Sequence, residues 1–282
     1  MPDLPSLLLE PLPRAGAGLL LAALIAIVAC RLRSLSVSGA VATTLVGGAI
    51  VGGAGWWTGL VLVIYFVTSS GLSNLRADAT QEVDQARGKR RDAWQVLANG
   101  GVAAVLALFV PVIGAPQVVA VGCLAAIAAA TADTWATEIG KQSPTPPRLI
   151  TTWRTVVPGT SGAISLAGSL GALAGSALIA LMSVVGWSTD IPAGSIGATA
   201  GGGIVLLGGI IGAMSDSLLG ATMQERRWCP ECNVPTERRV HRCGMPTTHV
   251  GGWEWMTNDA VNATSIAIAA TVALALAGWV ST

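Results

Sequence analysis

Charge is scarce in this sequence, and that scarcity decides its class. Asp, Glu, Lys and Arg make up 11% of 282 residues, against 52% for the hydrophobic set, with a mean hydropathy of +0.64. Soluble domains usually carry about 25% charged residues, so a soluble chain of this composition would lack the polar surface to cover itself. Net charge is only +1, which leaves no electrostatic case for a nucleic-acid partner. A secreted disulfide frame is missing too. Of five cysteines, three cluster after Trp228, which points to metal or thiol chemistry facing a reducing cytosol. The apolar run from Ala15 to Cys30 has no basic n-region and no small-residue cleavage site, so it reads as a retained helix. No internal repeat is strong enough to argue an inverted-repeat transporter, although Gly- and Ala-rich stretches late in the chain keep that reading open.

What is present is a series of long apolar runs. A membrane-spanning helix needs roughly 20 mostly apolar residues, and by that measure there are about eight: 15–30, 37–54, 56–75, 94–113, 116–140, 161–187, 194–220 and 258–280. The expected fold is therefore all-α, a polytopic membrane helix bundle. The second run is the weakest, diluted by Gly47, Gly48, Gly52, Gly53 and Gly55, but glycine is tolerated in membrane helices and helps them pack. The Gly48/Gly52, Gly171/Gly175 and Gly208/Gly212 pairs read first as close packing inside one bundle, with a homo-oligomer as the alternative.

The basic residues alternate from loop to loop. Arg31 and Arg33 follow the first span; Arg76, Arg87, Lys89, Arg90 and Arg91 follow the third. Lys141, Arg148 and Arg154 follow the fifth, and Arg226, Arg227, Arg238, Arg239 and Arg242 the seventh. These are fifteen of the sixteen Lys and Arg, and the other connections carry none. Positive loops face the cytoplasm, so both termini are expected outside a bacterial plasma membrane.

Ionisable groups at membrane depth are functional candidates by default. Asp133 lies about two turns inside the fifth span and Glu138 near its end. Asp216 is close to the end of the seventh, Asp259 opens the eighth, and Asp92 precedes the fourth. All five fall at similar depth on the basic side. Structural ion pairs would be the plain explanation, but uncharged polar groups accompany the acids at helical spacing. Asp92, Gln95 and Asn99 share a face, as do Asn258, Asp259 and Asn262, and Asp216, Gly220 and Gln224. Such oxygen-rich surroundings suit Mg²⁺, which bridges carboxylates to substrate phosphates. The loop Val157-Pro158-Gly159-Thr160-Ser161-Gly162 leads into the sixth span on the same side. It reads either as a helix cap or, beside Lys89, Arg90 and Arg91, as a phosphate cradle. Cys229 and Cys232, followed by Cys243 and by His241 or His249, have the spacing of a small structural Zn²⁺ site; the alternative is reduced thiols without metal.

Five segments in this order resemble one known family: Lys89-Arg-Arg-Asp-Ala-Trp-Gln-Val-Leu-Ala-Asn-Gly100, Ala132-Asp-Thr-Trp-Ala-Thr-Glu-Ile-Gly140, Pro158-Gly-Thr-Ser-Gly162, Asp216-Ser-Leu-Leu-Gly-Ala-Thr-Met-Gln224 and Asn258-Asp-Ala-Val-Asn262. It is the membrane family of transmembrane protein 19 and the plant phytyl-phosphate kinase, an integral membrane domain of unknown function. The resemblance runs from about Ser34 to the C-terminus. This divides the chain into 1–36, an N-terminal segment with the first helix, and 37–282, a membrane kinase-like domain with a short Cys/His loop at 225–256. The resemblance implies phosphoryl transfer from a nucleoside triphosphate, CTP by preference, to an isoprenyl monophosphate. On that reading Asp133, Asp216 and Asp259 hold Mg²⁺, assisted by Glu138 and Asn262. Lys89, Arg91 and the segment with Gly159, Thr160 and Gly162 hold phosphates. Asp92, Gln95, Asn99, Gln224 and Asn258 complete the substrate and nucleotide contacts. The rival readings are a cation-coupled transporter and a CTP-dependent cytidylyltransferase.

Overall fold

A computed structural model describes residues 11–74 and 90–282; Lys89, Arg76 and Arg87 lie outside the described residues. Among the described residues eight long helices form the bundle: α1 Pro11–Arg31, α2 Val37–Ala54, α3 Trp56–Asn74, α4 Ala93–Phe109, α5 Pro116–Lys141, α6 Leu166–Val185, α8 Ala198–Thr222 and α9 Asn258–Ser281. A single turn, α7 Trp187–Asp190, joins α6 to α8. Seven of the eight are long and apolar enough to cross a membrane, and α4, at 17 residues, is the short one. The run expected to continue to residue 113 stops at Phe109 because Pro111 cannot extend a helix.

Five β-strands among the described residues, of two to four residues each, lie in the basic loops. Arg148–Leu149 (β1) pairs with Ala163–Ile164 (β2). Arg226–Cys229 (β3) lies between Val234–Thr236 (β4) and Thr248–Gly251 (β5). The first of these sheets corrects the sixth span. Residues 161–165 are not helical, because Ala163 and Ile164 are held in the β1–β2 ladder and Ser165 is the N-cap, accepting from Gly168 N at 3.1 Å.

One helix organises the bundle. Every residue of α5 from Val119 to Ala132 is buried, and α5 packs against α3, α4, α6, α8 and α9. A helix apolar all round belongs at the centre, and its many alanines let five neighbours come close. The paired glycines serve these contacts. A side chain at Gly171 or Gly175 would meet the α5 carbonyls of Trp135 and Thr131, and one at Gly212 would meet Ala129. Gly48 and Gly52 face Leu19 and Ala15 of α1 in the same way, so all three pairs pack within the bundle.

The two ends of the bundle differ. At one, Ser36 N donates to Arg91 O and Arg91 N to Ser34 O, each at 3.0 Å, tying the α1–α2 turn to the start of α4. At the other, Asp190 caps α3 by accepting from Trp57 N and Thr58 N, and Gln117 exchanges two 3.0 Å bonds with the backbone of Ile196. Exposed tryptophans mark both levels, Trp94, Trp153, Trp253 and Trp255 at the first and Trp279 at the second, as interfacial aromatics do.

Candidate functional site

Asp133 and Asp216 meet at the basic end. Asp133 is two turns inside the C-terminal end of α5, and Asp216 is nearly two turns inside the end of α8. Their carboxyl groups are within hydrogen-bonding reach of each other. Helix α9 completes the cluster: Ser265 Oγ donates to Asp216 Oδ2 at 3.2 Å, and the Asn262 amide, with its nitrogen turned toward α8, donates to the same oxygen at 3.0 Å. Lys141 and Glu138 act electrostatically on Asp133. Glu138 is itself held by Ser73 of α3, whose Oγ donates to Glu138 Oε1 at 3.1 Å. Two ionised carboxylates this close repel, and a divalent cation between them offsets that repulsion. The two carboxylates are hard oxygen ligands of the kind Mg²⁺ takes, with water completing its shell, while the amide and the hydroxyl orient one of them.

Other expected site residues lie on α9, at the start of α4 and just past the end of α8. Asp259 stands in the first turn of α9, about 4.5 Å along the axis from Asn262 toward the basic face. Asn258, exposed, begins the same helix, and its carbonyl accepts from Asn262 at 3.2 Å. Asp92 and Gln95 form a reciprocal capping box at the start of α4, Gln95 N donating to Asp92 Oδ1 at 3.0 Å; the spacing read as a substrate face is, for Asp92, a helix start. Asn99 donates to the carbonyl of Gln95 at 2.9 Å. Gln224 is buried and gives its amide to Glu237 Oε1 at 3.0 Å, docking the Cys/His loop.

The segment from Gly159 to Gly162 does not sit at a helix N-terminus, since β2 and Ser165 intervene. Thr160 Oγ1 donates to Val157 O at 2.7 Å, closing a turn on itself. Gly162, at φ 76°, lies against the backbone of Ala221, where any side chain would collide. The segment therefore braces the end of α8 that carries Asp216.

A second brace is the loop after α8. Its four expected ligands converge: Cys229, Cys232, His241 and Cys243 offer ligand atoms all within 4.8 Å of one another. The Cys229 and Cys243 sulfurs are 3.7 Å apart, close to the ~3.8 Å edge of a tetrahedron with ~2.3 Å Zn–S bonds. His241 beside Cys243 holds that thiol down to about 7, while Cys243 pushes the Cys232 thiol up to about 11. His249 stands on β5 opposite Arg227, outside the cluster.

Sequence reading missed Tyr65, Ser73 and Ser265. Tyr65, the single tyrosine, is buried on α3 and hydrogen-bonds Thr134, next to Asp133. The signal was there, in a lone tyrosine and the Ser69, Ser70, Ser73 triplet at the basic end of an apolar helix. Tyr65 also borders a cavity of 310 Å³ between α1, α2, α3 and α4, with Arg91, Gln95 and Asn99 at one end.

The sequence pattern of the family described as "Integral membrane protein DUF92" matches residues 20–270, taking in much of α1 as well as the region from Ser34 to residue 270, short of the last part of α9. "Protein PGR" of Arabidopsis thaliana is 31% identical over 265 residues, covering 88% of this chain and 90% of that protein. "Uncharacterized membrane protein MJ0933" of Methanocaldococcus jannaschii is 30% identical over 178 residues, 61% of this chain and 71% of that one. No solved structure matches.

Proposed function

The chain belongs to the integral membrane protein DUF92 family, and from that footing we propose that it is a Mg²⁺-dependent kinase that phosphorylates an isoprenyl monophosphate from a nucleoside triphosphate, CTP by preference. The observation that carries the reading is the Asp133–Asp216 pair at the basic end, held by Asn262 and Ser265. Bound there, Mg²⁺ would neutralise charge on the nucleotide phosphates. Asn262 and Ser265 keep the Asp216 carboxylate turned toward α5, and Ser73 keeps Glu138 from swinging away. An oxygen of the acceptor monophosphate forms the new bond to the γ-phosphorus as the bond to the β–γ bridging oxygen breaks. The nucleoside diphosphate leaves with that electron pair. A phosphate monoester has a second pKa near 6, so the attacking oxygen already lacks its proton at neutral pH. Positioning and charge neutralisation are then what the site must supply. Arg91 and Lys141 are described cations at the basic end for the phosphates, and Lys89, outside the described residues, is proposed from the sequence to join them.

The Cys229, Cys232, His241 and Cys243 cluster takes one structural Zn²⁺ and stiffens the connection from α8 to α9, which carry Asp216 and its two partners. The basic face is the cytoplasmic face of a plasma membrane, with both termini outside, and residues 37–282 form the kinase domain. The test is direct. Purified protein with CTP, Mg²⁺ and phytyl or geranylgeranyl phosphate should yield CDP and the isoprenyl diphosphate in equal amounts. Pyrophosphate in place of CDP would make it a cytidylyltransferase, and no turnover with any triphosphate would end the kinase reading.

A further inference from the structure

The cavity beside the carboxylate pair has a shape the mechanism does not use. Helix α3 packs on α2 and α5 but makes little contact with α1 or α4, and the space between these helices is the cavity. Its lining on α3 runs from Trp56 to Phe66, about 15 Å at the helical rise per residue, or half the ~30 Å hydrocarbon thickness. Nearly all of it is apolar. The charged exception, Arg91, sits at the basic end with Gln95 and Asn99, its guanidinium 5.7 Å over the Phe66 ring. Leu21 and Leu60, which line the cavity from α1 and α3, are both close to half exposed, so it opens sideways between those helices toward the lipid.

We infer that this cavity is the seat of a monophosphate carried on a single hydrocarbon chain, with the phosphate at Arg91 and the chain running toward Trp56. Three observations carry the assignment. The first is size: a cavity of about 150 Å³ holds a benzene ring, so 310 Å³ has room for roughly a dozen carbons, and along 15 Å they fit in single file. The second is charge, since one cation ends an otherwise apolar slot at the basic end of the bundle. The third is adjacency. Tyr65 lines the slot, hydrogen-bonds Thr134 beside Asp133, and feels the charges of both Arg91 and Asp133. The head of a seated chain is thus one side chain away from the carboxylate pair. The inference rests on reading that pair as a phosphotransfer site, but binding in the slot needs no nucleotide and is measured apart from turnover.

The experiment is equilibrium binding to purified protein in nanodiscs, without nucleotide, using radiolabelled geranylgeranyl phosphate, geranylgeraniol, and isopentenyl phosphate as the head alone. Arg91→Gln should weaken the long phosphate at least tenfold and leave the alcohol unchanged. Val63→Phe, which fills the slot partway along, should weaken both long compounds and spare the short one. Asp216→Asn, which ends turnover on the kinase reading, should bind the long phosphate as wild type does. Because Val63→Phe could fail to fold, a diazirine on the second isoprene unit from the phosphate, which the slot is long enough to hold, is also photolysed in unaltered protein. Labelling confined to residues on α1, α2 and α3 that face the slot, and stronger for the phosphate than the alcohol, supports the assignment. Labelling spread over the lipid-facing helices, or binding unaltered in Arg91→Gln and Val63→Phe, overturns it even if the protein proves to be a kinase.

Discussion

Replacing Asp216 by Asn separates a metal site from a structural pair. The two carboxyl groups of Asp133 and Asp216 are in hydrogen-bonding reach. At roughly 4 Å and an effective dielectric of about 20, two unit charges would repel by about 4 kcal/mol, an upper bound here because a proton held between the two carboxyl groups relieves it. Asn keeps the size of the side chain and an oxygen for Ser265 and Asn262 while removing one charge. Without metal, Asp216→Asn should therefore melt at or above the wild-type temperature. With Mg²⁺ at ten times its Kd, binding stabilises wild type by about 1.4 kcal/mol, a gain the variant should lack. Turnover should fall about a thousandfold, the factor that ~4 kcal/mol of lost electrostatic stabilisation represents. Thermal unfolding in detergent, with EDTA and then Mg²⁺, gives the first two quantities, and CDP release gives the third. A variant that turns over near the wild-type rate, or gains equally from Mg²⁺, would refute the site. One that unfolds early in EDTA would show that the carboxylate balances a buried cation, because breaking such a pair costs about 3–5 kcal/mol.

The remaining expectations are simpler to read. Metal analysis should find about one zinc per chain, lost in the Cys229→Ser, Cys232→Ser double variant together with several degrees of melting temperature; zinc-free protein of full stability would make the cluster incidental. Gly162→Ala should destabilise by more than the ~1–2 kcal/mol of a left-handed alanine, because Ala221 blocks the added methyl. Gly101→Ala, in open space on α4, should be neutral or better, and equal melting of the two would refute the brace. A membrane-impermeant thiol label applied to intact cells should reach Ala193→Cys and not Gln85→Cys, and the reverse pattern would invert the topology.

Much of this molecule was legible in the chain. The apolar runs mark the helices because an unpaired backbone group in lipid costs several kcal/mol and helices satisfy their own; α2 begins and ends where its glycine-diluted run does. The Lys and Arg alternation sorted the loops, since charge is excluded from the membrane interior, and the same exclusion made Asp133 and Asp216 conspicuous. The Cys/His spacing named four ligands that do converge. Other features depend on contacts between residues far apart in sequence. Whether two acids 83 positions apart touch is settled by the approach of α5 to α8 across Gly212 and Ala129, and by Ser265 and Asn262 on a third helix. Local spacing could not tell a helix cap from a binding face at Asp92, nor a phosphate cradle from a brace at Gly162, because each depends on what packs against it. The slot between α1 and α4 has no sequence signature: it is a gap, and it exists because α3 leans on α2 and α5 and leaves α1 and α4 apart from it.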